Sequence, residues 1–400
     1  MVLGGGVAGL YSAAALAKSG YSVLLIERQM LGAGQTIASQ GILHGGIKYT
    51  LGGEATAASK AVADMPARWH AAMSNASGAD PDLRGVRVLS PAQYLWTAGS
   101  FFSKITARVA AAAIRTAVDT VPPSQACPGL HQAKGTTVYR VEEPVIDPRS
   151  LLQALESAFQ SAGGRIGVVH DSPSIDEERR ELRLGRRAVR FSTLVLAAGE
   201  GNHTLLAPFG VRAPAMQRRP LRMVMARSTR AEQLPALFGH CIAAMSDKPR
   251  ITVTTQAQEN GKAVWYIGGQ IAESGVERTP EAQIAAARLE VSACLPWIDL
   301  SHTEWTSFTI DRAEGLMRDG SRPDLPVVAP VGATGGAILA VWPTKLVFAP
   351  LVADMVKAEV SRHVQPSRSS TSASSLDGLR ALAAPQIAPL PWDREDIQWT

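Results

Sequence analysis

The chain has 400 residues, of which 46% are hydrophobic, and its formal net charge is +5 at pH 7. This composition excludes a disordered or collagen-like chain and allows a large core, usually divided between two domains. The basic residues form no long run, so nucleic acid is not an expected partner, whereas anionic substrates and peripheral contact with a membrane surface are compatible with the charge.

The three cysteines, Cys127, Cys241 and Cys294, are scattered without a C-x-x-C pair. Their spacing argues against a disulfide framework and against a metal site, and it is typical of a reducing compartment, so we expect a cytoplasmic protein. No apolar stretch reaches about 18 residues, so no membrane span is expected. The chain enters its first strand at once, which argues against a signal peptide. Because a buried strand usually has about 5–6 residues, we expect the natural start to lie upstream.

A glycine-rich loop follows the first apolar residues, and its pattern G-x-G-x-x-G spans Gly4 to Gly9. It lies between a short strand and an alanine-rich helix, and Glu27 ends the next apolar strand. In such a unit Gly4 makes the tight turn, Gly6 lets backbone N–H groups approach a pyrophosphate, and Gly9 lets the helix pack on the sheet. The helix N-terminus favours phosphates, and Glu27 can accept two ribose hydroxyls. The pattern predicts a dinucleotide site; the alternative is a glycine-rich turn without a ligand.

The remaining elements alternate in type along the chain. Helices are predicted over residues 7–19, 54–75, 102–117, 148–161, 280–293 and 346–362, and a long loop over 31–53. Apolar strands over 21–26 and 193–199 fit a parallel sheet, whereas 221–226, 250–256 and 263–268 alternate as antiparallel strands. Residues 366–375 are rich in Ser and Pro and predict a flexible linker and tail. Since α/β segments flank an antiparallel region, we expect a discontinuous nucleotide domain with an inserted substrate domain.

Five segments together resemble the FAD-dependent oxidoreductase family that includes D-amino-acid oxidase, glycine oxidase and glycerol-3-phosphate dehydrogenase. They are Gly4–Gly9 with Glu27, Ala38–Tyr49, Ile146-Asp147-Pro148, Leu194–Gly199, and residues 312–354. The resemblance implies an α/β (α+β) protein with a Rossmann-type FAD-binding domain of the glutathione-reductase-like fold and an inserted antiparallel substrate domain. It assigns 1–85, 145–215 and 305–362 to the FAD domain, 86–144 and 216–304 to the substrate domain, and 363–400 to the linker and tail.

The same resemblance implies which residues contact FAD. In the family, the loop after the second strand passes the flavin, a later strand end meets the dinucleotide, and a loop-to-helix junction directs backbone N–H groups at the flavin. The implied contacts are Gly4, Gly6, Gly9, Glu27, Arg28, Ser39, Gln40, His44, Gly45, Gly46, Val169, Ala198, Gly199, Pro343, Thr344 and Lys345. No cysteine lies in the expected C-terminal loop, so we expect the FAD to be noncovalent.

The candidate catalytic residues are Arg312, His44, Lys48 and Lys345. The resemblance implies that Arg312 binds a substrate carboxylate or phosphate through its planar fork, and that Lys48 helps to hold an anionic substrate. Alternatives stay open for three of them: a surface arginine paired with Glu314, a loop histidine bonded to backbone, and a surface lysine at 345. The family usually has Arg-Pro where this chain has Arg312-Ala313.

The implied chemistry is hydride transfer from a carbon bearing an amine or hydroxyl to flavin N5, with oxygen or a quinone as electron acceptor. An amine that binds neutral needs no protein base, whereas an alcohol needs one, for which His44 or a lysine is the candidate. We therefore expect an FAD-dependent oxidoreductase acting on a small anionic amino or hydroxy acid. The alternatives are a glycerol-3-phosphate dehydrogenase-like enzyme with a quinone acceptor and an FAD-binding protein without turnover.

Overall fold

The computed structural model describes residues 1–45, 61–74, 76, 78, 80–97, 118–212, 214–242, 248–316, 323–333, 335–366 and 382–400. Gly46, Lys48 and the predicted helix over 102–117 lie outside the described residues. So does most of the Ser- and Pro-rich stretch.

A six-stranded sheet carries the glycine-rich loop. In spatial order its strands are β18 (Val327–Pro330), β19 (Ile338–Trp342), β12 (Leu194–Leu196), β1 (Val2–Leu3), β2 (Leu24–Glu27) and β8 (Arg165–Val168). The pairs from β19 through β8 are parallel, and β18 runs antiparallel to β19. Because β1, β2, β8, β12 and β19 run in one direction, the loops that follow these strands leave the same edge of the sheet.

The helix after the glycine-rich loop, α1 (Val7–Lys18), is buried on all sides from Val7 to Ala17. It packs against two further helices, α3 (Pro148–Ser161) and α7 (Ala349–His363). A helix that is enclosed in this way needs apolar residues all round, and its alanines keep its neighbours close. Asp147 caps α3 as predicted, since its side chain accepts a hydrogen bond from the Arg149 N–H, with Pro148 in the first turn.

An eight-stranded sheet is built from the middle of the chain. In spatial order its strands are β17 (Thr303–Gly315), β13 (Met216–Ser228), β16 (Ala263–Gly268), β15 (Pro249–Ala257), β14 (Phe238–Ile242), β4 (Gln93–Thr97), β6 (Val138–Val141) and β5 (Val118–Val121). All neighbours are antiparallel except β14 and β4. The predicted domain boundary after residue 304 falls inside β17, which pairs with β13 along its whole length. The domain boundaries otherwise stay a prediction.

The remaining elements are short or peripheral. Two small sheets consist of β3 (Val88–Ser90) with β7 (Val145–Ile146), and of β9 (Ser174–Asp176), β10 (Glu181–Leu184) and β11 (Arg187–Arg190). Further α-helices are α2 (Met65–Met73), α4 (Asn202–Leu206), α5 (Gln270–Glu273) and α6 (Pro280–Cys294). Thr279 caps α6 as predicted. No helix in the described ranges is long and apolar enough to cross a bilayer.

The C-terminal segment, residues 382–400, packs against both large sheets, which the sequence left open. Its Ala383 accepts a hydrogen bond from the Val168 N–H, and Ile387 forms a bridge with Leu31. Farther along, Trp392 is 2% exposed and its ring meets the edge of Tyr266 with the centroids 5.4 Å apart. The segment therefore contacts the edge of one sheet and the face of the other, instead of hanging free as a tail.

Trp392→Ala is expected to lower the free energy of unfolding by about 3–5 kcal/mol, because it empties a buried site between the two sheets. It also removes the hydrogen bond from Trp392 Nε1 to the Ala257 carbonyl. Denaturant unfolding of the holoprotein measures the loss. Trp399→Ala is the matched control: Trp399 is partly exposed and lies under Arg227, so its loss should cost about 1 kcal/mol or less. Equal costs for the two variants would contradict this role of Trp392.

Candidate active site

A cavity of about 1150 Å³ opens between the carboxyl edge of the six-stranded sheet and the face of the eight-stranded sheet. Its wall contains the glycine-rich loop, the residues after β2 and β12, and the junction between β19 and α7. The opposite wall consists of side chains from β13, β15 and β17. The volume exceeds the roughly 300–1,000 Å³ of ordinary small-molecule pockets, so it suits a large ligand together with a small one.

The three glycines of the motif have different neighbours. Gly4 has φ +106°, and an added Cβ would lie 2.5 Å from the Ala197 carbonyl oxygen. At Gly9 it would lie 2.0 Å from the Gly4 carbonyl oxygen, because the helix presses against the loop there. At Gly6 the nearest atom within 4 Å is Thr36 Oγ1, at 3.3 Å. Gly4 and Gly9 are thus required for packing, whereas Gly6 borders the cavity and leaves space for a ligand.

Glu27 holds the glycine-rich loop in place. Its Oε2 accepts a hydrogen bond of 2.6 Å from the Gly5 N–H, and its Oε1 accepts bonds from the N–H groups of Arg28 and Gln29. The Glu27 carbonyl accepts from the Val169 N–H at 2.9 Å, which brings that residue to the same wall. Glu27, Arg28 and Val169 all line the cavity. The carboxylate therefore has a fixed position on the cavity wall, and the predicted ribose contact stays a prediction.

Ser39 and Gln40 lie where the loop after β2 crosses to the eight-stranded sheet. Gln40 Nε2 donates to the carbonyls of Thr252 (3.1 Å) and Tyr266 (2.9 Å), so it anchors the loop to β15 and β16. Tyr266 returns a hydrogen bond of 2.7 Å from its hydroxyl to the Ala38 carbonyl. The Oγ of Ser39 is buried and finds no hydrogen-bond partner within the described part of the chain. A buried hydroxyl on a cavity wall is costly without a partner, so it points to a polar ligand.

Two chain turns meet at the other side of the cavity, after β12 and after β19. Asn202 is fully buried; its Oδ1 accepts from the Ala198 N–H (3.0 Å), and its Nδ2 donates to the carbonyls of Leu196 and Val341. These bonds fix the ends of both strands. Thr344 has φ +58°, an uncommon conformation for a β-branched residue. Backbone strain of this kind clusters at ligand sites, and Thr344 lines the cavity with Pro343 and Lys345.

His44 has a carboxylate partner, so the alternative of a histidine bonded only to backbone is not what the structure shows. Its Nδ1 lies 3.1 Å from Oε2 of Glu143, whose side chain is 5% exposed. Oε1 of Glu143 accepts a hydrogen bond of 2.6 Å from the Gly45 N–H. The ring of His44 stacks on that of buried His240, with the centroids 5.9 Å apart. Both histidines and Glu143 line the cavity.

Two arginines face each other across β13 and β17, where Arg219 and Arg312 are directly paired residues. Arg219 Nε lies 3.3 Å from Oε2 of Glu314, which is 2% exposed, and Arg312 Nη2 lies 3.6 Å from Oε1 of Glu273. The predicted alternative, a surface Arg312 paired with Glu314, does not hold, because Glu314 pairs with Arg219. Lys248 also contacts Glu273, at 2.8 Å. All five side chains line the cavity.

Glu273 is ionised at neutral pH. Burial acts to raise its pKa, but the hydrogen bond and charge of Lys248, together with the charge of Arg312, outweigh burial and hold the pKa below its ordinary value. Glu273 thus contacts two cations at the cavity wall, Lys248 and Arg312.

Comparison with known proteins identifies the family. The model of the FAD dependent oxidoreductase (DAO) family matches residues 1–385. Over 400 residues, the chain is 42% identical to the probable FAD-dependent oxidoreductase PA4991 of Pseudomonas aeruginosa, covering 98% of this chain and 97% of that protein. The chain belongs to this family of FAD-dependent oxidoreductases. The resemblance noted in the sequence is thereby confirmed, as are FAD as the cofactor and the assignment as an enzyme.

Solved structures of the family share the fold. The crystal structure of PA4991 matches with a TM-score of 0.80 and 38% identity, over 98% of this chain and 96% of that one. Glycine oxidase from Geobacillus kaustophilus matches with a TM-score of 0.63 and 17% identity, over 91% and 94% of the two chains. The FAD-bound L-alpha-glycerophosphate oxidase from Mycoplasma pneumoniae matches with a TM-score of 0.61 and 13% identity, over 90% and 94%. These matches confirm the predicted fold class, and the last two show the fold alone.

The cavity of this FAD-dependent oxidoreductase fits its cofactor on three features of its own residues. First, a ligand can approach Gly6 closely. Second, the N-terminus of α1, with its partial positive charge, opens onto the cavity. Third, the buried Ser39 hydroxyl can donate a hydrogen bond to a ligand. The first two suit a pyrophosphate. On the opposite side, the junction of β19 and α7 lies on the cavity wall at Thr344.

Most of the predicted site residues of this oxidoreductase meet at the one cavity. The lining residues among them are Gly4, Gly6, Glu27, Arg28, Ser39, Gln40, His44, Val169, Ala198, Gly199, Arg312, Pro343, Thr344 and Lys345. Gly9 and Gly45 stand behind the wall and support it: Gly9 packs α1 on the loop, and Gly45 binds Glu143. Gly46 and Lys48 lie outside the described residues. Their roles, like each individual contact with FAD, stay predictions.

Several charged or titratable lining residues were not predicted as site residues from the sequence, among them Glu143, His240 and Lys248. Glu143 is 99 residues from His44 along the chain, so no local pattern joins them. His240 lies in a short apolar strand and resembles a core histidine there. Lys248 precedes β15. For Arg219 the sequence did contain a signal, because the doublet Arg218-Arg219 lies on an antiparallel strand. An arginine on the face of a sheet, opposite Arg312, indicates a charged site.

Proposed function

We propose that this FAD-dependent oxidoreductase oxidises a small anionic amino or hydroxy acid at the carbon that bears the amine or hydroxyl. The observation that carries the proposal is the direct pairing of Arg219 and Arg312 on neighbouring strands of the cavity wall. Like charges in directly opposite positions destabilise a sheet. An anionic substrate offsets that repulsion, and a guanidinium fork suits a carboxylate because it offers two parallel hydrogen bonds.

The arginines are positioned by the sheet and not by loops. Arg312 Nε donates to the Arg219 carbonyl at 3.2 Å, which fixes the start of its guanidinium against β13. Its side chain is 26% exposed, so it is reachable from the cavity and partly shielded from bulk water. Shielding strengthens an ion pair with a bound carboxylate. In this proposal the two arginines bind and orient the acid group, and Lys345 on the opposite side adds a third cation.

FAD, when bound, supplies the hydride acceptor for this oxidation. We propose that it is held noncovalently. None of the three cysteines lines the cavity; all three are buried elsewhere. The imidazole of His44 is already engaged through Nδ1 with Glu143, which supports a role other than a flavin linkage.

Anaerobic titration of the purified holoprotein with a panel of acids tests this function. The panel contains small amino acids, the matching 2-hydroxy acids, glycerol 3-phosphate, and the amide of each acid. We expect an acid from the first two groups to bleach the oxidised flavin band, and its amide to fail, because the amide lacks the charge that the arginines bind. Bleaching by amides as readily as by acids would contradict the proposal. Bleaching by glycerol 3-phosphate alone would favour the glycerol-phosphate alternative, and no bleaching at all would favour a protein without turnover.

A further inference from the structure

Two chain segments run side by side beneath the cavity and place His44 against Glu143. The Ile146 N–H donates to the Gly41 carbonyl, and the Leu43 N–H donates to the Pro144 carbonyl, each at 2.9 Å. Ile42 and Val145 form an antiparallel bridge between these bonds. Backbone pairing therefore sets the distance between the two side chains, which does not depend on a flexible loop.

Glu143 is held as an ionisable acceptor for one nitrogen of His44. Its side chain is 5% exposed, Oε1 accepts from the Gly45 N–H at 2.6 Å, and Oε2 lies 3.1 Å from His44 Nδ1. Gln93 Nε2 adds a longer contact of 3.4 Å to Oε2. A carboxylate only accepts hydrogen bonds, so the proton of a neutral His44 ring stays on Nδ1. The other nitrogen, Nε2, then has a lone pair, as a general base requires.

A second histidine fixes the plane of the His44 ring. The rings of His44 and His240 are inclined by 24°, and His240 is 1% exposed. His240 Nδ1 lies 2.7 Å from Thr252 Oγ1, which ties that ring to β15. Glu143 and His240 are two titratable groups that the described structure places against His44. The carboxylate fixes the position of the His44 proton, and the stacked ring fixes the plane of the imidazole. Catalytic histidine bases are oriented by partner groups in a similar way.

We propose that Glu143 is a positioning residue that makes His44 Nε2 the proton acceptor, and that the substrate of this site is accordingly a 2-hydroxy acid. This inference rests on the proposed function, and it chooses between the two substrate classes that the arginines leave open. Oxidation of a neutral amine needs no protein base, whereas oxidation of an alcohol does.

The proposed step balances as follows. The hydroxyl O–H bond of the substrate breaks, and its proton passes to His44 Nε2, while the hydrogen on C2 leaves with two electrons as a hydride to oxidised FAD. The C2–O single bond becomes the carbonyl of a 2-oxo acid. His44 is then an imidazolium whose Nδ1–H still donates to Glu143, and the carboxylate stabilises that charge.

Glu143→Gln tests the positioning role. The Gly45 N–H requires an oxygen at the Oε1 position, so the amide nitrogen of the new side chain faces His44 Nδ1 and donates to it. The proton of the imidazole then lies on Nε2, which cannot accept the substrate proton. We expect the anaerobic rate of flavin reduction by the 2-hydroxy acid to fall about 100-fold with little change in substrate Kd. In the wild type, the rate should rise with pH because only an unprotonated imidazole can accept the substrate proton; this rise is lost in the variant.

The matched control is Glu142→Gln, the same chemical change one residue earlier. Glu142 is exposed, pairs with Arg140 and does not line the cavity, so its variant should keep the wild-type rate and pH profile. Nitrogen-15 NMR of histidine-labelled protein adds a readout that needs no turnover. The His44 signal, assigned by its absence in His44→Gln, should change from the Nδ1–H to the Nε2–H tautomer in Glu143→Gln. His44→Gln removes the base itself and should show the same loss of rate, which keeps the test decisive if Glu143→Gln folds poorly.

The outcomes separate this inference from the proposed function. If amino acids reduce the flavin and 2-hydroxy acids do not, the function stands and the inference fails. Wild-type rate and tautomer in Glu143→Gln would also overturn it. If no acid of either class reduces the flavin, the proposed function fails first. Flavin reduction by a 2-hydroxy acid that depends on Glu143 and not on Glu142 supports both the proposed function and the positioning role of Glu143.

Discussion

Arg312→Leu is expected to lower the second-order rate constant of flavin reduction by the anionic substrate about 100- to 1000-fold, with FAD still bound. Losing one partner of a shielded charge pair costs about 2–5 kcal/mol, and about 1.4 kcal/mol corresponds to a factor of ten. Folding should change little, because Glu273 keeps its 2.8 Å contact with Lys248 when Arg312 is removed. Stopped-flow absorbance of the flavin, with substrate varied under anaerobic conditions, measures the rate constant.

Arg227→Leu is the control for this variant. Arg227 lies on the same strand, β13, and pairs with Glu304, its direct neighbour on β17, but it does not line the cavity. Its removal should therefore leave flavin reduction unchanged. Arg312→Lys keeps the positive charge but loses the planar pair of N–H donors that a guanidinium offers. Its rate of flavin reduction should therefore lie between those of the wild type and Arg312→Leu. Loss of bound FAD in Arg312→Leu, with normal reduction of any flavin that remains, would show that Arg312 supports the cofactor and not the substrate.

The local parts of this architecture could be predicted from the sequence, and the long-range pairings could not. The glycine-rich loop, the cap at Asp147 and the cap at Thr279 depend on residues within a few positions of one another, and all three appear where their patterns placed them. The second strand was predicted over 21–26 but spans Leu24–Glu27, since the chain first has to return from the end of α1. A boundary of this kind depends on packing and not on propensity.

The site shows the same division. Arg312 and His44 were predicted from motifs, but their partners Glu273 and Glu143 were not. A partner that lies across a sheet or on another loop has no recognisable motif among its own sequence neighbours. Glu142 and Glu143 are identical residues side by side, and only the fold decides that one is exposed and the other buried against His44. The sequence therefore predicts which chemistry is present, and the structure shows which groups act together.

The glycines of the dinucleotide motif should separate into two classes when each is changed to alanine. Gly9→Ala introduces a Cβ 2.0 Å from the Gly4 carbonyl oxygen and 3.4 Å from Ala197 Cβ. The close contact is with backbone at the centre of the parallel sheet, so neither side can move away. We expect the free energy of unfolding to fall by about 3 kcal/mol or more, with loss of FAD as a consequence of the damaged fold.

Gly6→Ala should have the opposite pattern. Its φ of −75° is ordinary for alanine, and the added Cβ lies within 4 Å of Thr36 Oγ1 alone among atoms outside its immediate neighbours. The apoprotein should lose no more than about 1 kcal/mol, but the methyl group enters the space that a pyrophosphate needs, so FAD affinity should fall about tenfold or more. Chemical unfolding of the apoprotein and fluorescence titration with FAD measure the two effects separately. Gly85→Ala, where the Cβ would make an ordinary 3.7 Å contact with Ala154 away from the cavity, should change neither. Unchanged FAD affinity in Gly6→Ala would show that the pyrophosphate does not approach the protein at this loop.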